Sequence, residues 1–207
     1  MNLRRLHALS ALAIGLFLLI HMGNHVVGLT GQDAHIGYMA VARRFYRNAF
    51  VEPLLLLFLV WQMFSGLRLI AKSWSSRSGA LAWLQALSGA YLAIFLLIHV
   101  GAVLSGRAVF GLDTDFRYAA AGFHVAPWPW FFAPYYFLAV FSLFAHVGCA
   151  LYWNIAAQAV PTRRFFVASC LIVGAAAGLS FDLAMAGKLF PVEIPRAYLN
   201  TYSGAAR

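Results

Sequence analysis

Five apolar runs, each long enough to cross a lipid bilayer, leave this chain few folds to choose from. A helix needs about 20 mostly apolar residues to traverse a hydrocarbon core of roughly 30 Å. Residues 8–29, 52–72, 82–104, 132–156 and 165–186 all meet that length. Strands are no alternative, because an open sheet edge in lipid leaves backbone donors and acceptors without partners. The expected fold class is therefore all-α: one integral membrane domain over residues 1–207, a bundle of five transmembrane helices. Composition agrees, with 63% of residues hydrophobic and only 10% charged, against about a quarter charged in soluble domains. The net charge of +9 would suggest nucleic acid if the cations shared one surface. They flank the apolar runs instead, as membrane-edge cations do. Membrane lipid is the expected partner, and nucleic acid is not.

The segments between the runs read as interfacial. Residues 34–49 suit a short surface helix, with Arg43, Arg44 and Arg47 in solvent or on headgroups. Residues 113–131 end in Pro127, Trp128, Pro129, Trp130 and Phe131, an aromatic belt at a turn. The first run follows Arg4 and Arg5 as a secretion signal would. It carries His21, Asn24 and His25 where a signal has small neutral residues, so it is expected to stay as a helix. Cys149 and Cys170 lie inside apolar runs without C-x-x-C spacing and read as small hydrophobes. Gly174 and Gly178 form a small-x3-small pair, which predicts close helix packing.

The charge rule for orientation nearly ties. Segments on the side of the N-terminus hold Arg4, Arg5, Arg68, Lys72, Arg77, Arg163 and Arg164; the opposite side holds Arg43, Arg44, Arg47, Arg107, Arg117, Lys188, Arg196 and Arg207. The first set lies in short, acid-free loops, whereas Asp33, Glu52, Asp113, Asp115 and Glu193 lie with the second. This favours an N-terminus on the cytoplasmic side, and that side is called inner below.

The chain also repeats itself. ALSALAIGLFLLIHMGNHVVG at 8–28 and ALSGAYLAIFLLIHVGAVLSG at 86–106 align without gaps at an offset of 78, with identities that include Ser10, Phe17, His21, Gly23 and Gly28. Matched leucines mean little in membrane helices, but a matched histidine does. The first and third spans then correspond and run in the same direction, an internal two-helix repeat about an axis along the membrane normal. His21 and His99 must lie at one depth.

Ionisable residues inside spans are costly and default to functional hypotheses. A neutral imidazole in a bundle interior is a good axial ligand for haem iron, and two at one depth on facing helices can clamp one haem between them. His21 and His99 are read as such a pair; the bland alternative is two hydrogen-bonded packing histidines. His25, one turn beyond His21, is the rival ligand. His146 lies about 20 Å from the outer end, against about 10 Å for His21 and His99, too deep to share their haem. It is either part of a second site or a structural hydrogen-bonder, and the second span offers it only Gln62. His7 stands four turns before His21 on the same face, a spacing that can serve two stacked haems, but its repeat partner is Gln85, and it is expected at the inner interface near a propionate or quinone rather than as a ligand. His35 and His124 are expected in solvent.

These residues resemble a known family, the five-helix cytochrome b membrane-anchor subunit of succinate:menaquinone oxidoreductases and fumarate reductases. RRLHALSALAIGLFLLIH at 4–21 resembles that family's opening helix, and LQALSGAYLAIFLLIHVG at 84–101 its third. FAHVGCALYW at 144–153 and PTRRFFVASCLIVG at 161–174 resemble its last two. The likeness covers nearly the whole chain, and order and spacing carry it. It implies haem b with His21 and His99 as ligands of the outer haem, and His146 as one ligand of an inner haem. It also implies quinone as substrate, flavoprotein and iron–sulfur subunits as partners, and a bacterial-type inner (cytoplasmic) membrane. The chain departs from the family at WQMFSG (61–66), where Gln62 stands in the place of the family's histidine. The expectation is accordingly one low-spin haem per chain. The chain has no flavin fingerprint and no cysteine cluster, so dicarboxylate chemistry would belong to partner subunits. A stand-alone haem-binding or adaptor paralogue without a dehydrogenase is the alternative, and Gln62 favours it.

Overall fold

The computed structural model describes residues 2–155 and 158–203. Eight helices follow one another: α1 (Leu3–Gly28), α2 (Gln32–Tyr46), α3 (Val51–Lys72), α4 (Ala80–Ala108), α5 (Phe116–Ala120), α6 (Pro129–Asn154), α7 (Val160–Met185) and α8 (Arg196–Ser203). Among the described residues there is no strand. Five of the helices, α1, α3, α4, α6 and α7, are long and apolar enough to span a membrane. The chain is an all-α, multi-pass membrane protein.

Most of the spans outrun their apolar stretches, because backbone hydrogen bonding must continue until headgroup water can replace it. At the start of α1, Asn2 accepts a hydrogen bond from the Arg5 N–H at 3.0 Å, capping a first turn that carries Arg4 and Arg5. The surface helix expected at 34–49 is α2. The turn expected at 113–131 contains the short helix α5 and a 3₁₀ turn at Ala121–Phe123, which the apolar pattern did not announce. Position 156, the last of the expected fourth span, and Arg207 lie outside the described residues.

Each span sorts its faces between lipid and bundle. On α1, Leu9, Leu12, Leu16 and Leu19 are exposed, while Ser10, Ile14, Asn24 and Gly28 are buried at helical spacing. In lipid the outward leucines are solvated and the polar stripe is what must turn inward. The spans close into a ring in which α1 packs on α3, α3 on α4, α4 on α6, α6 on α7, and α7 back on α1.

The most extensive contact is α6 with α7. The Gly174/Gly178 pair lies there as expected: a Cβ at Gly174 would stand 2.7 Å from the Phe144 Cβ, and one at Gly178 would meet the Phe137 carbonyl at 3.1 Å. Gly148 faces back from α6, where a Cβ would come within 2.9 Å of the Cys170 Cβ. Cys149 is wholly buried and Cys170 partly so; both thiols are free.

The outer ends are tied by charge. Arg107 on α4 pairs with Glu52 on α3. Arg43 reaches Asp113 at 2.7 Å and Arg47 reaches the same carboxylate at 3.7 Å. Of the three arginines in and just after α2 that were expected in solvent or on headgroups, Arg43 and Arg47 are therefore engaged, because α2 lies along the segment that follows α4; Arg44 is exposed.

Candidate functional site

The intramembrane histidines fall into two layers. In the outer layer, α1 and α4 present His21 and His99 toward each other across the ring, with ring centroids 6.2 Å apart. The repeat reproduces the support of each ring. Phe17 stacks on His21 at 5.5 Å and 17°, and its counterpart Phe95 stacks on His99 at 5.1 Å and 16°. Both pairs are one turn apart on their helices, so the aromatic ring holds the imidazole's plane. His25 lies 5.0 Å from His21, but on the side of Phe181 and His35.

Among the described residues, neither ring nitrogen of His21, His25 or His99 has a hydrogen-bond partner. These rings lie deep among protein atoms yet keep accessible surface. Buried polar groups are normally hydrogen-bonded, and exceptions call for an explanation. The bland reading of His21 and His99 as hydrogen-bonded packing residues lacks its hydrogen bonds.

His35 corrects an expectation. It is 2% exposed, not solvated, because α2 folds back over the end of α1 and seats the ring against Gly28, where a Cβ would stand 2.8 Å from its Cδ2. The Asn24 side-chain amide meets it at 3.1 Å, and the Asn24 Oδ1 has no partner among the described residues. Burial, with His21 and Arg43 adding to it, pushes the His35 pKa down to about 4. His124 is exposed, in line with the expectation, and donates through Nε2 to the Met185 carbonyl at 2.9 Å.

The inner layer is built differently. The His146 Nδ1 donates to the Gln85 carbonyl at 3.1 Å, with Ser88 Oγ at 3.4 Å. Its Nε2 has no partner among the described residues and carries the lone pair. Opposite, the Gln62 amide nitrogen meets His7 Nε2 at 3.1 Å, and Gln62 Oε1 accepts from Ser10 Oγ at 2.5 Å. An amide nitrogen only donates, so His7 Nε2 is the acceptor and Nδ1 donates to Ser65 Oγ at 2.8 Å. The His7 ring is turned toward α3, in the first turns of α1 that follow Arg4 and Arg5.

The repeat relates these contacts too. Ser10 and Ser88, an identity at the offset of 78, each bond the carbonyl three residues back and a side chain on the next helix. That side chain is Gln62 for Ser10 and His146 for Ser88. Gln62 and His146 therefore hold corresponding places. The layers stand apart: His146 meets α4 at Gln85 and Ser88, three to four turns before His99, or about 15–20 Å.

Ser10, Ser65, Ser88, Asn24 and Asp182 were not read as site residues from the sequence. Asp182 carried a visible signal, an acid inside the fifth apolar run; its Oδ1 is buried without a partner. The serines are common enough in spans that only their contacts single them out.

What could occupy the outer layer follows from its donor set. Among the described residues, no three or more His, Cys, Asp or Glu side chains converge to hold a metal ion. Two imidazoles facing each other suit instead a metal that arrives with its equatorial ligands, as haem iron does. An imidazole nitrogen binds a first-row metal at roughly 2 Å, so two rings on opposite sides of one metal have centroids about 6 Å apart. The 6.2 Å between His21 and His99 lies in that range, with the two rings inclined at 65°.

No family model, curated protein or solved structure was found to match the chain.

Proposed function

We propose that this protein is a b-type haem-binding membrane anchor of the succinate dehydrogenase or fumarate reductase kind, passing electrons between a dehydrogenase and quinone. The observation that supports it best is the pair His21 and His99. They come from corresponding helices of a repeat, at 6.2 Å, with no hydrogen bond on either ring among the described residues. His21 and His99 would hold the iron axially, and Phe17 and Phe95 would keep their imidazole planes from turning. Haem b, when bound, supplies a one-electron carrier. The outward leucines exclude water from this layer.

A quinone would reach the outer layer from lipid. An apolar groove of about 300 Å³ opens between α4 and α6, lined by Tyr91, Phe95, Trp130, Pro134 and Tyr135. Phe95 joins it to His99. The flavoprotein and iron–sulfur partners would dock on the inner face, where Arg4, Arg5, Arg68, Lys72 and Arg164 lie without neighbouring acids. This is the orientation with a cytoplasmic N-terminus in a bacterial-type inner membrane.

The test is spectroscopic. The full chain, purified from haem-replete cells, should show a reduced-minus-oxidised spectrum of low-spin haem b. Protein with no Soret band would end this reading. Co-purification of a flavoprotein and an iron–sulfur protein would separate it from a stand-alone haem protein.

A further inference from the structure

We propose that His7 is the axial ligand opposite His146, so that the inner layer is a second bis-histidine haem site built without a histidine on α3. The inference rests on the haem-binding reading above and adds to it the identity of the ligand opposite His146.

Depth comes first. The His7 ring touches α3 at Gln62, Ser65 and Gly66, and the His146 ring touches α4 at Gln85, Ser88 and Gly89. α3 and α4 form an antiparallel hairpin joined by residues 73–79. Gln62–Gly66 lie six to ten residues before its end at Lys72, and Gln85–Gly89 lie five to nine after its start at Ala80. The two contact zones therefore sit side by side at one depth, and so do the rings. His7 is also near enough to His146 to feel its charge.

Chemistry comes second. Metal-bound imidazoles commonly donate one nitrogen to a carbonyl or other oxygen and offer the other nitrogen's lone pair. Both inner histidines are arranged this way. His146 gives Nδ1–H to the Gln85 carbonyl, and His7 gives Nδ1–H to Ser65 Oγ. On His7 the Nε2 lone pair is held only by the Gln62 amide, a neutral donor that can release it.

Space comes third. Each ring lies against a glycine on the hairpin. A Cβ at Gly66 would stand 3.2 Å from His7 Cε1, and one at Gly89 would stand 2.9 Å from His146 Cε1. A side chain at either position would push its ring aside. Gln62, which holds the place corresponding to His146, is then a hydrogen-bond partner of the ligand and not a ligand itself.

Haem per chain, counted on the purified full-length protein with low-temperature electron paramagnetic resonance of the ferric state, tests this. The expected result is two low-spin haems in the unaltered protein, one in His7→Ala, and two in His7→Ala/Gln62→His. Gln62→Leu should keep both. His7→Met should also keep both while raising the midpoint potential of one, since a His/Met-ligated haem is more oxidising than a bis-histidine one; a structural role for His7 would not do that. One haem in the unaltered protein, two in His7→Ala, or an unmoved pair of potentials in His7→Met would overturn the proposal and leave the outer haem standing. No haem in the unaltered protein would overturn the reading beneath it instead.

Discussion

The two histidine layers share one repeat and use it in opposite ways. In the outer layer the duplicated sequence supplies both partners, His21 and His99, each with its own stacked phenylalanine and with neither ring hydrogen-bonded. In the inner layer the repeat is broken. One half brings His146 where the other brings Gln62, and the rings that remain are tethered through Nδ1 to Gln85 and Ser65. Duplication makes a matched pair without further effort. Replacing one member forces recruitment of a residue from another helix, and His7 stands where that recruitment would take it.

The largest effect is expected from breaking the outer pair. His21→Ala or His99→Ala removes an axial bond and opens the site to water, so the outer haem should be lost and the inner spectrum should remain. His25→Ala and His124→Ala should keep both, because His25 faces His35 and Phe181 and His124 is bonded to Met185. Loss of the outer haem in His25→Ala with retention in His21→Ala would reassign the ligand.

Acid should loosen the cover on the outer layer. The His35 pKa falls from 6.5 to about 4 in the folded protein. As pH drops through that window the unfolded chain gains a proton that the folded chain does not, so stability is full above it and declines within it. The loss should be on the order of 3 kcal/mol, seen as faster amide exchange in α2, and His35→Gln should abolish that dependence.

The next comparison sets the close-packed pair against the open ring. About 28% of the α6 span and 22% of the α7 span are buried, against 6% for α3 and α4. Gly174→Leu would drive a side chain into Phe144 and should cost about 1–3 kcal/mol, lowering the melting temperature in detergent. Gly15→Ala, with nothing within 4 Å of the new Cβ, should be neutral or up to about 1 kcal/mol stabilising. The smallest effect should come from Glu52→Gln. Its ion pair with Arg107 is partly exposed, with side chains 27% and 26% accessible, and should contribute about 0.5 kcal/mol that salt reduces.

Much of this was legible in the chain, for reasons that can be named. Apolar length alone decides that a helix spans, so all five spans were readable, with ends that differ by up to five residues from those observed. The matched depth of His21 and His99 follows from an ungapped repeat in two helices of one direction. The Gly174/Gly178 contact follows from two small residues one turn apart. These are properties of single helices, or of two copies of one helix.

Other features depend on which helix lies beside which. The fold-back of α2 buries His35 and pairs Arg43 with Asp113 across 70 positions of sequence, and nothing local marks either. The α3–α4 hairpin brings Gln62 to His7 and Gln85 to His146, at separations of 55 and 61 residues. In sequence the inner layer looks one histidine short, since Gln62 stands in a ligand's place and His7, though spaced to serve a second stacked haem, reads first as an interface residue. A helix's own periodicity states how deep a side chain lies and which stripe it shares. Its azimuth against neighbours is set by packing between elements, and that is what turned His7 toward α3 and brought His21 and His99 to within 6.2 Å of each other.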